Sequence, residues 1–313
     1  MRCAVVGTPV AHSLSPAMHR AAYAELGLDW TYDAVELAAD DLPAHLASLD
    51  RSWRGLSLTM PLKRTVVPLV DSLDDWARVS GAVNTLVLGD RRRLGFNTDV
   101  PGAMAALVER VHDPVREVVV LGGGATATSV LLGLVELGCT RAHVLVRDPA
   151  RAAETVETVR RHRRGPEVSV GSLPEAVARG DLGEGSVADM VVSTIPGRAQ
   201  TPEVLAACAS VPRVFEVVYD PWPTPLARAA EQSGRPLVSG LDLLAHQAVL
   251  QLQVMAGRSV PVELLRVAAL RELRRRGHAT PGGDPGGNPG GDPGGHRGGT
   301  SPVDDGPTVA PSA

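Results

Sequence analysis

Short apolar runs alternate with amphipathic stretches along most of this chain. In the first 100 residues, the strand-like runs are CAVVG, TYDAVEL, LSLT, AVNTLVL and LGFN. Apolar positions at helical spacing predict helices at 16–27, 40–49, 62–70 and 101–112. Alternation of this kind is typical of an α/β protein, in which helices cover a sheet.

From about residue 116 onward, the strand-like runs become continuous and rich in valine. They are VVVL at 118–121, HVLV at 143–146, VSV at 168–170, MVVS at 190–193 and VFEVV at 214–218. Strands that are apolar on both faces and separated by helices indicate a parallel sheet covered on both sides. Two more helices are predicted at 240–256 and 261–276, with a turn at Gly257 and Pro261 between them.

Composition limits the class of protein. The length of 313 residues is enough for about two domains. The net charge of −4 gives no reason to expect a nucleic-acid or membrane partner. No apolar run approaches the about 20 residues that a membrane span needs, and the first residues read as a strand rather than a signal peptide. The three cysteines are far apart and lack metal-ligand spacing, so we expect a reducing, cytoplasmic location.

The end of the chain has a different composition. Between Pro281 and Gly295, a four-residue unit that begins Pro-Gly-Gly repeats. Such a segment has no apolar surface to bury and loses much conformational entropy on ordering. We therefore expect 277–313 to be a disordered tail, and a tail without function is favoured over an interaction tether.

A glycine-rich turn provides the first chemical signal. The strand VVVL leads directly into Gly122 and Gly124, and Ala127 follows three residues later inside a helix. This is the G-x-G-x-x-A pattern, in which small residues allow a tight turn and a close approach to a pyrophosphate at the helix N-terminus. Because a strand, a helix and a second strand surround the pattern, we predict a dinucleotide site.

The end of the second strand bears on the choice of cofactor. Arg147 and Asp148 lie there, followed by Pro149. An arginine suits the 2′-phosphate of NADP, whereas an acid suits the free 2′-hydroxyl of NAD. Asp148 can instead cap the helix that Pro149 opens. NADP is therefore favoured, and NAD stays open.

Polar residues in the first 100 positions form a second constellation. They lie at strand ends and helix starts: Ser13, Ser15, Thr59, Lys63, Asn84 and Asp99. Each has a structural alternative. Ser15 can cap a helix ahead of Pro16, Asp99 can do the same ahead of Pro101, and a lone lysine is usually solvated.

Together these motifs resemble the shikimate dehydrogenase family. In chain order, the matching segments are AHSLSP, LTMPLK, AVNT, NTD, GGGATA, VYDPWPTPL and GLDLLAHQA. The resemblance spans residues 2–276 and implies an α/β protein of two domains. A substrate-binding domain at 1–100, completed by helices at 240–276, would face a Rossmann-like, doubly wound NAD(P)-binding domain at 101–239. The active site would lie in the cleft between the domains.

The same resemblance implies roles for individual residues. Lys63 and Asp99 would form the catalytic pair, with the lysine either donating a proton to the developing alkoxide or acting as a fixed charge. Substrate binding would fall to Ser13, Ser15, Thr59, Asn84, Tyr219 and Gln247, with Asp99 also contacting the substrate. Cofactor binding would fall to Gly122, Gly123, Gly124, Ala125, Ala127, Arg147 and Gly240. No metal is implied.

The implied activity is reversible, NADPH-dependent reduction of 3-dehydroshikimate to shikimate, a step of aromatic amino-acid and chorismate biosynthesis. Alternatives are an NAD-dependent quinate/shikimate dehydrogenase, an enzyme for an amino-substituted shikimate, and a non-catalytic dinucleotide-sensing protein on the same scaffold. Ser57 replaces a common Asn and Asp242 a common Gly of the family, and either change could alter affinity. We expect a monomer or homodimer.

Overall fold

The computed structural model describes residues 1–90, 92–180, 182 and 188–277. Within them, the strands form two six-stranded sheets. Gly277 is the last residue of the final helix, and the remainder of the predicted tail lies outside the described residues.

The N-terminal sheet is mixed, because its strands run in both directions. Its spatial order is β2 (Thr31–Glu36), β1 (Arg2–Gly7), β3 (Trp53–Leu58), β5 (Thr85–Gly89), β6 (Arg92–Phe96) and β4 (Ser72–Leu73). β1 runs parallel to β2 and β3, whereas β5 is antiparallel to β3 and β6. The β5–β6 pairing sets Thr85 opposite Phe96, so Asn84 and the residues that follow β6 lie at the same end of the sheet.

Four short helices belong to this half of the chain: α1 (Ser15–Glu25), α2 (Leu42–Ser48), α3 (Leu62–Thr65) and α4 (Asp75–Ser80). The continuous helix predicted at 62–70 is wrong, because α3 ends at Thr65 and a 3-10 turn follows at Val67–Leu69. Pro68 lies in that turn and lacks the amide that a longer helix would need.

The second sheet is entirely parallel, as predicted. Its order is β12 (Leu237–Ser239), β11 (Val214–Glu216), β10 (Met190–Ser193), β7 (Glu117–Leu121), β8 (Arg141–Val146) and β9 (Glu167–Ser172). The chain starts in the middle at β7, proceeds outward to β9, and then returns to β10 on the other side. In sheets of this order, ligands bind outside the carboxyl ends of the strands where the direction reverses.

Helices cover both faces of this sheet: α6 (Ala125–Glu136), α7 (Ala153–Arg160), α8 (Leu173–Arg179), α9 (Pro202–Ala207) and α10 (Pro225–Gln232). Alternate residues of β7 belong to separate cores. Val118 and Val120 pack in one cluster, whereas Val119 and Leu121 pack in another. Burial on both faces explains the uninterrupted apolar runs of these strands and confirms the doubly wound α/β prediction.

Three longer helices complete the fold: α5 (Asp99–Arg110), α11 (Gly240–Ala256) and α12 (Val262–Gly277). α11 packs along α5 at a distance that only glycine allows, since a Cβ at Gly102 would lie 2.8 Å from the Cβ of Gln247. Asp242 and Ser239 form a capping box at the start of α11. The domain boundaries stay a prediction, because residues 1–277 form one compact unit.

Candidate active site

A cleft of about 640 Å³, its open mouth included, is lined by residues in or next to strands of both sheets. Residues from both halves of the chain line it. Those that the sequence singled out are Ser13, Ser15, Thr59, Lys63, Asn84, Asp99, Tyr219, Gly240 and Gln247.

Lys63 and Asp99 meet in this cleft. Lys63 Nζ donates to Asp99 Oδ2 at 2.6 Å, and the side chains are only 14% and 8% exposed. The solvated alternative for this lysine is therefore wrong. A charge at this depth is stable only with a close partner, so the two groups depend on each other. Lys63 is also the only lysine among the 31 lysine and arginine residues of the chain, a signal that sequence reasoning left unused.

The side chain of Asn97, and not that of Asp99, bonds to the first amides of α5, so the Asp99 carboxylate is left for the lysine. Asn97 Oδ1 accepts from the backbone amides of Asp99 and Val100 at 3.0 and 3.1 Å. The prediction that Asp99 caps α5 is therefore wrong. Asn97 itself is held by donation to the carbonyl oxygen of Ala82 at 3.0 Å.

Asn84 connects Asp99 to the rest of the cleft. Its Nδ2 donates to Asp99 Oδ1 at 2.8 Å, to Thr98 Oγ1 at 2.8 Å and to Gln247 Oε1 at 3.3 Å. Its Oδ1 accepts from the backbone amide of Thr98 at 2.8 Å, which fixes the orientation of the amide group. One buried amide thus joins the start of the β5–β6 hairpin, α5 and α11.

Ser13 lies in the loop before α1, and Ser15 is the first residue of that helix. The amide of Ser15 donates to Ser13 Oγ at 3.2 Å, and Leu14 occupies the cap position without a side-chain hydrogen bond. The prediction that Ser15 caps this helix is therefore wrong. Arg276, in the last turn of α12, donates to the carbonyl oxygens of His12 and Ser13 at 2.8 and 3.0 Å. The C-terminal helix thus holds the loop against the cleft.

Tyr219 approaches from the loop after β11. Burial, followed by the charge of Asp220, raises the pKa of Tyr219 to about 12. It stays a neutral phenol near pH 7 and can both donate and accept a hydrogen bond. Thr59 directly follows β3, so its position agrees with the predicted strand end.

Three further polar residues line the cleft without having been predicted to do so: Ser57, Thr126 and Gln251. From the sequence, Ser57 is only a departure from the family pattern. Thr126 Oγ1 lies 3.5 Å from Lys63 Nζ, across the cleft. Gln251 could have been found from the sequence, because it follows Gln247 by four residues and so lies on the same helix face.

The glycine turn has the geometry that a dinucleotide requires. Gly122 has φ of 108°, and a Cβ there would lie 2.3 Å from Thr194 Oγ1. Gly124 caps α6 without a side-chain partner, so the first amides of α6 are free to face an anion. Ala127 is fully buried, where helix packs on strand. These residues, with Gly123 and Ala125, fit a pyrophosphate.

Arg147 and Asp148 follow β8 and are both exposed. The Asp148 carboxylate accepts from the amide of Ala150 at 3.1 Å and caps the 3-10 turn Pro149–Ala152, as the capping alternative predicted. Arg151 lies in the same turn and adds a second exposed cation that sequence reasoning missed. Arg147 and Arg151 are positively charged, and the Asp148 carboxylate is already bonded to an amide. This arrangement fits a 2′-phosphate better than a free 2′-hydroxyl.

Close packing against the backbone leaves no room for a side chain at Gly240. A Cβ at this first residue of α11 would lie 2.1 Å from the carbonyl oxygen of Val217. Its predicted contact with the cofactor stays a prediction.

Glu216, on β11, anchors the loop that carries Tyr219. The buried carboxyl group accepts from Gln200 Nε2 at 2.6 Å, Thr224 Oγ1 at 2.9 Å and the amide of Val218 at 3.0 Å. Burial raises the pKa of Glu216 to about 7 despite these donors.

Among the described residues, no group of three or more His, Cys, Asp or Glu side chains is arranged to hold a metal ion. In the same part of the chain, none of the helices combines the length and apolar character that crossing a bilayer demands.

Comparisons with known proteins agree with this geometry. The family model for the shikimate dehydrogenase substrate binding domain matches residues 5–86. A shikimate dehydrogenase (NADP(+)) from Moorella thermoacetica is 35% identical over 291 residues, which are 90% of this chain and 95% of that protein. The crystal structure of Mycobacterium tuberculosis shikimate dehydrogenase has a TM-score of 0.74 at 35% identity, covering 87% of this chain and 99% of that one. Thermus thermophilus shikimate 5-dehydrogenase, in complex with NADP(H) and shikimate, has a TM-score of 0.71 at 30% identity, covering 87% and 99%.

Proposed function

This chain belongs to the shikimate dehydrogenase family, and from that premise we propose that it catalyses the reversible, NADP-linked reduction of 3-dehydroshikimate to shikimate. The observation that carries the proposal is the buried Lys63–Asp99 ion pair, which lies in a cleft next to the glycine turn. A non-catalytic sensor would have no need to bury an ion pair at this position, given the cost of removing two charges from water.

Lys63 supplies the proton for this reaction. When bound, the reduced cofactor supplies the hydride that the carbonyl carbon receives. The carbonyl oxygen then gains negative charge, and the Lys63 ammonium stabilises that charge and transfers a proton to it. Asp99 holds the ammonium at 2.6 Å and accepts from a substrate hydroxyl. In the reverse direction, neutral Lys63 takes the proton from the alcohol.

Uncharged polar groups recognise the substrate. Its carboxylate and hydroxyls would bind to Ser13, Ser15, Thr59, Asn84, Tyr219 and Gln247, all of which line the cleft. Hydroxyls and amides can each orient a polyol through short hydrogen bonds. Gln247 still has a proton free for the substrate, because its Nε2 donates to one backbone carbonyl, that of Leu244.

The cofactor is NADP. Arg147 and Arg151 would hold the 2′-phosphate, and the glycine turn with the start of α6 would hold the pyrophosphate. Asp148 was the feature that favoured NAD and a quinate/shikimate dehydrogenase. Because its carboxylate caps the adjacent turn, it gives that alternative little support.

An absorbance assay at the reduced-nicotinamide band tests this function. Shikimate and quinate are each combined with NADP and with NAD, and kcat/KM is measured for the four pairs. We expect shikimate with NADP to give the highest value. A higher value for quinate with NAD would instead assign the alternative activity, and no turnover with any pair would contradict a dehydrogenase.

We also expect a cytoplasmic monomer or homodimer, whose substrate-binding domain is 1–100 with 240–276. These expectations rest on the cysteine content and on the family resemblance.

A further inference from the structure

A chain of buried hydrogen bonds runs from α1 into the wall of the cleft and ends on the catalytic carboxylate. It begins at His19 on α1, passes through Gln251 on α11 and Thr85 on β5, and reaches Asn84, which donates to Asp99. His19 and Thr85 are fully buried, and the two amide side chains are each 2% exposed. None of the first three residues has a role in the proposed reaction.

The orientation of Gln251 is fixed by its surroundings. Its amide nitrogen faces the backbone carbonyl oxygen of Asn84 at 3.3 Å, and a carbonyl oxygen can only accept. The same nitrogen donates to Thr85 Oγ1 at 2.8 Å. Gln251 Oε1 therefore points the other way, where it accepts from Ser57 Oγ at 2.9 Å and faces His19 Nε2 at 3.1 Å. Both ends of this side chain are fully bonded.

His19 lies at the end of the hydrogen-bond chain that is farthest from Asp99. Because Gln251 Oε1 only accepts, His19 Nε2 carries the ring proton. Burial lowers the pKa of His19 to about 4, so the ring is neutral near pH 7. Its Nδ1 has no partner among the described residues, and in this tautomer it is an unpaired acceptor rather than an unpaired donor. The ring stacks on Tyr32 with centroids 4.1 Å apart, which fixes its plane.

Thr85 links Gln251 to Asn84 within this chain of hydrogen bonds. Since its hydroxyl accepts from Gln251, its own proton is available for Asn84 Oδ1 at 2.9 Å. Asn84 Oδ1 is thereby held away from the carboxylate, and Nδ2 is directed at Asp99 Oδ1. Each bond in such a chain polarises the next, so the donor that reaches Asp99 is strengthened.

We propose that Gln251 and Thr85 are positioning residues for catalysis, which act through Asn84 to set the orientation of Asp99 and, with it, of Lys63. This role rests on the proposed function. Gln251 and Thr85 lie 166 positions apart in the chain and on different elements. Their hydrogen bond therefore ties α11 to the hairpin that presents Asn84, and the catalytic geometry depends on that tie.

Steady-state kinetics on the full chain tests the role. The variants are Gln251→Leu, Thr85→Val, the double variant and Thr85→Ser, each corrected for folded fraction by circular dichroism. Gln253→Leu is the matched control, because Gln253 is exposed on the same helix. We expect Gln251→Leu and Thr85→Val to lower kcat about tenfold each, while the KM for NADP stays within about twofold.

Two comparisons separate positioning from a general loss of structure. The double variant should be no slower than the slower single variant, because both substitutions interrupt the same chain of hydrogen bonds. Thr85→Ser, which keeps the hydroxyl, should recover the kcat that Thr85→Val loses. The proposal is overturned if kcat falls less than about threefold, if the losses multiply, or if serine does not recover activity. A wild-type chain without shikimate turnover would overturn the proposed function, and this role with it.

Discussion

Replacing Lys63 tests the proposed chemistry most directly, because two substitutions separate its charge from its proton. Lys63→Met removes both. It leaves the Asp99 carboxylate, 8% exposed, with the neutral Asn84 amide as its remaining donor among the side chains described. Breaking a buried ion pair by removing one partner costs about 3–5 kcal/mol, so the free energy of unfolding should fall by about that amount.

Lys63→Arg keeps the charge and removes the proton donor. A guanidinium does not lose its proton in proteins, so the ion pair with Asp99 remains while proton transfer to the substrate is lost. We expect Lys63→Arg to retain most of the unfolding free energy that Lys63→Met loses. We expect its kcat to fall by about 10²–10⁴-fold, with a much smaller change in the KM for shikimate.

Urea unfolding and steady-state kinetics measure the two effects separately. Arg20→Met is the matched control for stability, because it breaks an exposed ion pair with Asp33 and should cost less than about 1 kcal/mol. Turnover by Lys63→Arg within about tenfold of wild type would refute proton donation and leave Lys63 a fixed charge. Unchanged stability of Lys63→Met would refute the dependence of Asp99 on its partner.

Three further predictions follow from other parts of the chain. Arg147→Ala should raise the KM for NADP about tenfold or more and spare that for NAD, because a charge-assisted bond to the 2′-phosphate is lost; equal effects on both would contradict its role. The pKa of Glu216 is about 7 in the folded state, against an ordinary value of 4.5. Between these two pH values the folded state keeps a proton that the unfolded chain releases. The stability that this proton contributes is therefore lost as the pH rises from 4.5 to about 7. Glu216→Gln should therefore remove up to about 3 kcal/mol of this decline in urea unfolding between about pH 5 and pH 8, whereas exposed Glu231→Gln should leave the slope unchanged. Deleting 278–313 should change neither the thermal midpoint nor kcat, and a loss of either would show that the tail has a role.

Features that depend on neighbouring residues could be predicted from the sequence. The glycine turn needs a strand, three glycines and a small helical residue within a short stretch, and Gly122 to Ala127 supply them in order. The valine-rich strands predict a parallel sheet that is buried on both faces. Pro149 directly after Asp148 favours a capping role for Asp148, and its side chain caps that turn.

Features that depend on distant partners were decided by the tertiary structure. Asn97 and Asp99 have similar capping propensities and lie two residues apart, so local sequence cannot choose between them. The choice follows from Lys63, which lies 36 positions away and is the charged partner that the buried Asp99 carboxylate needs. The spacing from Gln247 places Gln251 on the same face of α11, but its partners Thr85 and Asn84 follow only from the folded structure. Spacing along the sequence determines local hydrogen bonds. Buried charges and amides must also be paired, but their partners are residues that only folding brings close.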